Sequence, residues 1–126
     1  MSTAQVRAYA RKAQEFVDAA ASELEAGRHI AAASLAIHAA INAADAVCGA
    51  RVGQRAAGEG HDQVVSLLAT AGADGNAVAK DLRRLLPLKT QAEYEPEGVS
   101  HGIAAKAVER AQRCVTIARA VAAGLN

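Results

Sequence analysis

Aromatic residues are almost absent from this chain of 126 residues. It has no tryptophan, and its aromatic residues are Tyr9, Phe16 and Tyr94, whereas hydrophobic residues make up 52% of the chain and 34 residues are alanine. Sheets favour β-branched and aromatic side chains, and alanine is the strongest helix former. The composition therefore excludes a β-sandwich or barrel and predicts an all-α fold of closely packed helices.

The chain also has no large excess of positive or negative charge. The 14 basic and 13 acidic side chains leave a formal net charge of +1. Global electrostatics therefore do not drive the chain onto nucleic acid or anionic lipid, and any such binding needs a local patch. We expect no DNA partner and no membrane partner.

A long apolar run is missing as well. The stretch from His29 to Ala44 is the longest without Asp, Glu, Lys or Arg, and it is shorter than the roughly 20 apolar residues that span a bilayer. Arg7, Arg11 and Lys12 interrupt the apolar region that a signal peptide requires. The two cysteines, Cys48 and Cys114, lie in helical patterns rich in alanine and valine, which predicts buried thiols rather than a disulfide. We expect a soluble, cytoplasmic protein.

Hydrophobic periodicity predicts an antiparallel up-and-down bundle of four to five helices, in one domain over residues 1–126. Ser2 or Thr3 caps the first helix, Gly49 stops the second, and Pro87 ends the fourth. Loops are expected from Gly49 to Gly60 and after Pro87. The predicted helices are about Thr3 to Gly27, Arg28 to Cys48, His61 to Ala71, Asp74 or Asn76 to Leu86, and Ser100 to Ala123.

Two of these helices carry clear predictions for the core. The second places a stripe at spacings of three and four, with Ile41 in its middle: Ile30, Ser34, Ile37, Ile41, Ala44 and Cys48. The fourth is predicted to bury its aliphatic residues and to expose its charged ones. Its inward set is Val78, Leu82, Leu85 and Leu86, and its outward set is Lys80, Asp81, Arg83 and Arg84.

The second helix also carries a polar stripe of Ser34, His38, Asn42 and Asp45. One interpretation makes Asn42 and Asp45 ligand-binding residues in a cleft between helices. The other is an internal hydrogen-bond network, or a dimer seam, that specifies register. The second is favoured because an unsatisfied buried polar group costs about 1–3 kcal/mol.

Arg55 and His61 form an R-x5-H element. An arginine that holds a phosphate and a histidine that moves a proton suit metal-independent RNA cleavage, in which the ribose 2′-OH attacks the neighbouring phosphate. Such a short element also occurs by chance, and His61 could instead cap the third helix. Both interpretations stay open.

The segment RRLLPLKTQAEYEP places Lys89 five residues before Tyr94. Lys89 could supply charge to a phosphate or nucleotide, and the Tyr94 ring could stack on a base. In the structural alternative, Tyr94 covers the end of the bundle and Lys89 pairs with a carboxylate. Glu93, Glu95 and Glu97 disfavour a phosphate site. No cofactor motif or metal-ligand spacing is present, and we expect neither cofactor nor metal.

Four segments together resemble the HEPN domain family: ASLAIHAAINAADAVC, GHDQVVSLL, LKTQAEYEP and VERAQRCV. The resemblance covers about residues 5–122. It implies a helical bundle that dimerises and that works in prokaryotic toxin-antitoxin or nucleotide-handling systems. In active members, an R-x4-6-H motif at the dimer cleft supplies metal-independent ribonuclease activity.

The sequence departs from the family where the ribonuclease motif belongs. By order along the chain that place is Lys89 to Tyr94, where a lysine stands for the arginine and Glu93 and Tyr94 stand for the histidine. The expectation is therefore a noncatalytic module that forms a homodimer and binds a nucleotide, RNA or a nucleotidyltransferase-like partner protein. The alternative is an endoribonuclease that uses Arg55 and His61. A structural bundle without a ligand is the third interpretation.

Overall fold

Helices make up nearly all of the computed structural model. It describes residues 1–55 and 60–125, except for the side chains of residues 61 and 62. This part of the chain contains no strand, which confirms the all-α class. Its helices are α1 (Thr3–Glu25), α2 (His29–Val52), α3 (His61–Ala69), α4 (Gly72–Leu85), α5 (Pro87–Glu93) and α6 (His101–Ala123).

Helix α1 begins with a capping box. The Ser2 hydroxyl accepts a hydrogen bond from the Gln5 backbone N–H, and the Gln5 side chain accepts one from the Ser2 backbone N–H. The helix ends before Gly27, which has a φ of 81° that favours glycine. Its fully buried stripe is Val6, Ala10, Ala13, Val17 and Ala20. The larger Tyr9, Phe16 and Leu24 pack against the edge of the core and are partly buried.

Helix α2 runs further than the sequence predicted. It passes through Gly49 and ends at Val52, where Gly53 takes a left-handed conformation with a φ of 72°. Gly49 is buried, and a Cβ atom at this position would lie 2.3 Å from the Met1 sulfur and 3.2 Å from Val6 Cγ2. The prediction that Gly49 stops α2 was therefore wrong: this glycine allows close packing against the start of α1.

The core surrounds α2, which contacts each of the five other described helices. Ile37, Ala44 and Cys48 are fully buried, as their stripe predicted. Ile30 and Ile41 depart from that prediction, since Ile30 is 46% exposed and Ile41 is partly buried at the edge of the core. By length and composition α2 could cross a membrane, but 67% of its most apolar window is buried inside the bundle.

Helices α4 to α6 form the other side of the bundle. Val78, Leu82, Leu85 and Leu86 are buried as predicted. Asp81 was predicted to face outward, but it is buried, because Arg113 of α6 binds its carboxylate through Nη2 at 2.7 Å and Nε at 3.1 Å.

Some helix boundaries also differ from the predictions. Helix α4 begins at Gly72, two residues before the expected Asp74 cap. Pro87 ends α4 and then begins the short helix α5, where a loop was expected. Proline fits the first position of a helix because the N–H that it lacks has no partner there. The last helix was predicted to start at Ser100; it starts at His101, and Ser100 caps it by accepting a hydrogen bond from the Ile103 N–H.

Both cysteines are free and buried, which confirms the prediction of thiols. Burial raises the pKa of Cys48 to about 11, and the negative charge of Asp45 adds to the rise. Burial likewise raises the pKa of Cys114 to about 12, with a further contribution from Asp81. Both thiols therefore stay neutral inside the folded bundle and act as small apolar groups.

Candidate functional site

The polar stripe of α2 divides into residues with different environments. Asn42 is buried, and its side-chain Nδ2 donates a hydrogen bond to the backbone oxygen of His38 at 2.8 Å. This bond lies within α2, so part of the polar capacity of Asn42 is used by its own helix. Ser34 is partly buried and lines a groove of about 670 Å³ at the start of α2, together with Ile30 and Val99.

His38 joins three helices at the surface. Its ring stacks on Phe16 of α1, with centroids 5.6 Å apart and an interplanar angle of 29°. Its Nε2 lies 3.8 Å from the Oε1 of Glu93 in α5. The imidazole is thus held between an aromatic ring and a carboxylate, and about half of it remains accessible to solvent.

Asp45, Arg55 and Tyr9 form a second cluster. Asp45 is 1% exposed, and its Oδ2 lies 3.4 Å from the Nε of Arg55. The Arg55 guanidinium also lies over the Tyr9 ring, 5.2 Å from its centroid. A cation over an aromatic face is attracted by the ring quadrupole. The residues after α2 therefore turn back so that one arginine contacts both a buried carboxylate and an aromatic ring.

This cluster limits what Arg55 can do chemically. Its positive charge is matched by Asp45, while its side chain remains 55% exposed. A phosphate at this position would compete with the Asp45 carboxylate for the Nε–H of Arg55 and would be repelled by the negative charge of Asp45. The arrangement is suited to holding the chain after α2 against α1.

The Arg55 and His61 pair can be described only in part. Residues 56–59 and the side chain of His61 lie outside the described residues, so the R-x5-H element is incomplete there. The backbone of His61 forms the first residue of α3, and the N-cap position belongs to Gly60. The interpretation in which the His61 side chain caps α3 lies outside the described residues.

Lys89 and Tyr94 lie at opposite ends of α5. Lys89 is partly buried and forms no ion pair with any described residue. Tyr94 follows the last residue of α5 and is 74% exposed, so it does not cover the end of the bundle. The structural alternative for both residues was thus wrong, and both side chains are available to a ligand.

The sequence did not indicate which residues contact Arg55 and His38. Tyr9 contacts Arg55 and Phe16 contacts His38, both at the edge of the core. Their spacing of seven residues on one helical face was the available signal. A set of cations on α4 and α6, Arg84, Lys106 and Arg110, also lines one groove, which the chain order does not indicate. In the described part of the chain, no group of three or more His, Cys, Asp or Glu residues could hold a metal ion.

Comparison with known proteins identifies the family. The family model of the HEPN domain matches residues 6–122. A search of curated proteins found no match to the chain. The matched region includes α2, the Asp45 and Arg55 cluster and the whole of α5, and it covers all but a few residues at each end. The chain therefore belongs to the HEPN domain family.

Proposed function

We propose that this protein is a noncatalytic HEPN module that acts by forming a homodimer and binding a nucleotide or a partner protein. The observation that carries the proposal is the position of Arg55 against Asp45 and Tyr9. This arginine is the phosphate-binding group of the only R-x5-H element that the sequence analysis found. In the structure its charge is matched by a carboxylate of the protein itself.

The chemistry of RNA cleavage supports the same conclusion. Cleavage without a metal needs a cation on the phosphate and an acid or base beside the 2′-OH and the leaving oxygen. In the segment where active family members carry this machinery, Lys89 is the only cation and no histidine is present. Glu93 lies beside His38, and Glu95 and Glu97 follow it, so this segment repels an RNA phosphate.

The region around α5 could still bind a single nucleotide. Lys89 could contact a single phosphate of a nucleotide, whereas the exposed Tyr94 ring is available to a partner surface. Asn42 and Asp45, the other ligand candidates, are buried, so they would act by holding His38 and Arg55 in place. A nucleotidyltransferase-like partner in a two-gene toxin-antitoxin system is the class of protein that the family membership favours.

The exposed surface of the bundle supports a homodimer better than the apolar character of α2 does. The apolar character of α2 is explained by its burial against the other described helices. The large apolar side chains that remain exposed are Met1, Ile30 in the first turn of α2, Tyr94 after α5 and Ile103 near the start of α6. Exposed apolar residues that are grouped with polar ones are typical of interaction surfaces.

The proposal is tested with a fluorogenic RNA in the presence of EDTA. We expect no cleavage above buffer for the wild-type protein, for Arg55→Ala or for His61→Ala. Arg51→Ala serves as the matched control, because Arg51 also pairs with an aspartate, Asp74 at 2.8 Å, but lies on the exposed end of α2. Cleavage that persists in EDTA, survives Arg51→Ala and is lost in both Arg55→Ala and His61→Ala would establish the endoribonuclease instead.

A further inference from the structure

A groove of about 440 Å³ is lined by residues from the end of α4, the start of α5 and the first half of α6. Leu88, which is partly buried, and Ile103, which is 38% exposed, give it an apolar floor. Arg84 from α4 and Lys106 and Arg110 from α6 also line it. We call this set of five residues the basic groove. It is an apolar depression surrounded by positive charge.

The cations of the basic groove lack an acidic partner among the described residues. The next arginine of α6 is different, since Arg113 binds Asp81 and also contacts Glu109 at 3.2 Å. Three like charges that share one groove repel each other, and an anion placed between them relieves that repulsion. The basic groove therefore fits a ligand that combines negative charge with an apolar group.

The same chain carries such a group at the end of α5. Residues Glu93–Glu97, which we call the acidic segment, place glutamates at positions 93, 95 and 97 around Tyr94 and Pro96. Tyr94 is 74% exposed, and Glu95 and Glu97 form no ion pair with any described residue. The segment thus offers an aromatic side chain flanked by free carboxylates.

The backbone of the acidic segment is held in place. The N–H groups of Tyr94 and Glu95 both donate to the Thr90 oxygen, at 2.9 and 3.2 Å. Beyond the segment, Gln91 Nε2 donates to the Gly98 oxygen at 3.4 Å, and Val99 is buried. A segment that is already ordered loses less entropy on binding than a free loop does. The exposure of Tyr94 shows that the segment does not fill the groove of its own chain.

We propose that two copies of this chain associate by placing the acidic segment of each copy in the basic groove of the other. This inference rests on the homodimer of the proposed function and names its interface. Tyr94 packs on Leu88 and Ile103, while Glu95 and Glu97 meet the cations of the groove. A two-fold axis makes both contacts at once and closes the assembly as a dimer.

The division of roles follows from the chemistry of interfaces. A tyrosine in an apolar pocket supplies most of the affinity, because such residues bury a large area and lose few rotamers. Charges at the rim orient the partners and exclude wrong ones. Glu95 and Glu97 offset two of the three cations, so the paired surfaces carry little net charge.

Paired charge reversals test the interface. The groove variant is Arg84→Glu with Arg110→Glu, and the segment variant is Glu95→Lys with Glu97→Lys. We expect the wild-type protein to sediment as a dimer of 12.9 kDa chains. Each variant alone should weaken dimerisation at least about tenfold, because both of its contacts then join like charges. Tyr94→Ala should weaken it as well.

An equimolar mixture of the two variants gives the decisive measurement. In a mixed dimer, each of the two contacts again joins opposite charges, so we expect the mixture to recover the dimer. Recovery also shows that both variants are folded. Arg11→Glu with Lys12→Glu is the matched control, since these exposed cations of α1 also lack an ion pair among the described residues. The control should dimerise like the wild type.

Four outcomes would overturn the interface. They are a monomeric wild-type protein, a dimer that neither reversal weakens, a mixture that stays monomeric, and a groove that instead binds an RNA oligonucleotide in an Arg84- and Arg110-dependent way. A dimer insensitive to the reversals overturns this interface while leaving the proposed function in place. Cleavage of RNA in EDTA overturns the proposed function and leaves the interface in place.

Discussion

Asp45 illustrates what a carboxylate needs inside an apolar helix. Burying a charge is unfavourable unless hydrogen bonds or an opposite charge compensate it. Arg55 supplies an opposite charge from beyond the end of α2, at 3.4 Å, and Tyr9 holds its guanidinium from the other side. The buried aspartate therefore fixes the path of the chain as it leaves α2.

We expect Arg55→Ala to lower the free energy of unfolding by about 1–2 kcal/mol, less than the loss of a fully buried pair because Arg55 is half exposed. Arg51→Ala removes the more exposed pair with Asp74 and should change it by no more than about 0.5 kcal/mol. Urea titrations of both variants provide the measurement. Equal shifts would show that Asp45 does not depend on Arg55.

Because the two buried thiols have raised pKa values, we expect the folded protein to lose stability at alkaline pH. In the unfolded chain they ionise near their ordinary pKa of 9.0, whereas burial holds Cys48 at about 11 and Cys114 at about 12. Unfolding therefore releases protons above pH 9, so the contribution of the buried thiols is complete below that pH and is lost as the pH rises toward the folded values. The urea midpoint of the wild type should fall more steeply between pH 8 and pH 10 than that of Cys48→Ala with Cys114→Ala. Parallel curves would contradict the assignment of buried neutral thiols.

Helix α2 organises the bundle through small residues. Alanines occupy most of its buried positions, and Gly49 lets the start of α1 approach the backbone. Small side chains allow helix axes to come close, so a few larger residues fill what space remains. Ile37 is the largest fully buried side chain of this helix.

We expect Ile37→Ala to lower the free energy of unfolding by roughly 2–5 kcal/mol, because it leaves a cavity among closely packed helices. Ile41→Ala should lower it by about half as much, since Ile41 is only partly buried and water can fill the space. This order replaces the prediction from the sequence, which placed Ile41 in the centre of the core. Urea midpoints compare the two variants, and a larger loss for Ile41→Ala would contradict the packing described here.

The whole molecule is connected through α2. Each of the other five described helices contacts it, and the buried residues of all but the short α5 join one hydrophobic cluster. A helix that covers α2 cannot separate from it without exposing apolar surface to water. Small domains built in this way unfold in a single cooperative step.

We therefore expect thermal unfolding to be two-state over residues 1–126. Loss of helical circular dichroism should coincide with exposure of Cys48 and Cys114 to a thiol reagent, since these residues lie on α2 and α6. Both probes should report one midpoint. An early reaction of either thiol, before the helical signal falls, would show that part of the bundle opens separately.

Features that depend on composition and on neighbours along the chain were predictable from the sequence. Few aromatics and many alanines specify helices, and Ser2, Gly27 and Ser100 mark helix ends through hydrogen bonds or conformations that involve adjacent residues. The inward positions of α4 followed from their spacing. The two cysteines were recognised as buried thiols because apolar neighbours surround them.

Contacts between residues on different helices depend on how the bundle packs. Asp81 and Arg113 are 32 residues apart, and Glu93 reaches His38 from a helix that the sequence suggested was a loop. The basic groove likewise combines residues from α4, α5 and α6. Spacing shows which side of a helix is apolar, but it does not show which partner that side faces. In α2, where alanine lies on every side, the buried face itself was set by packing, because close approach of the other helices selects among faces that are equally apolar.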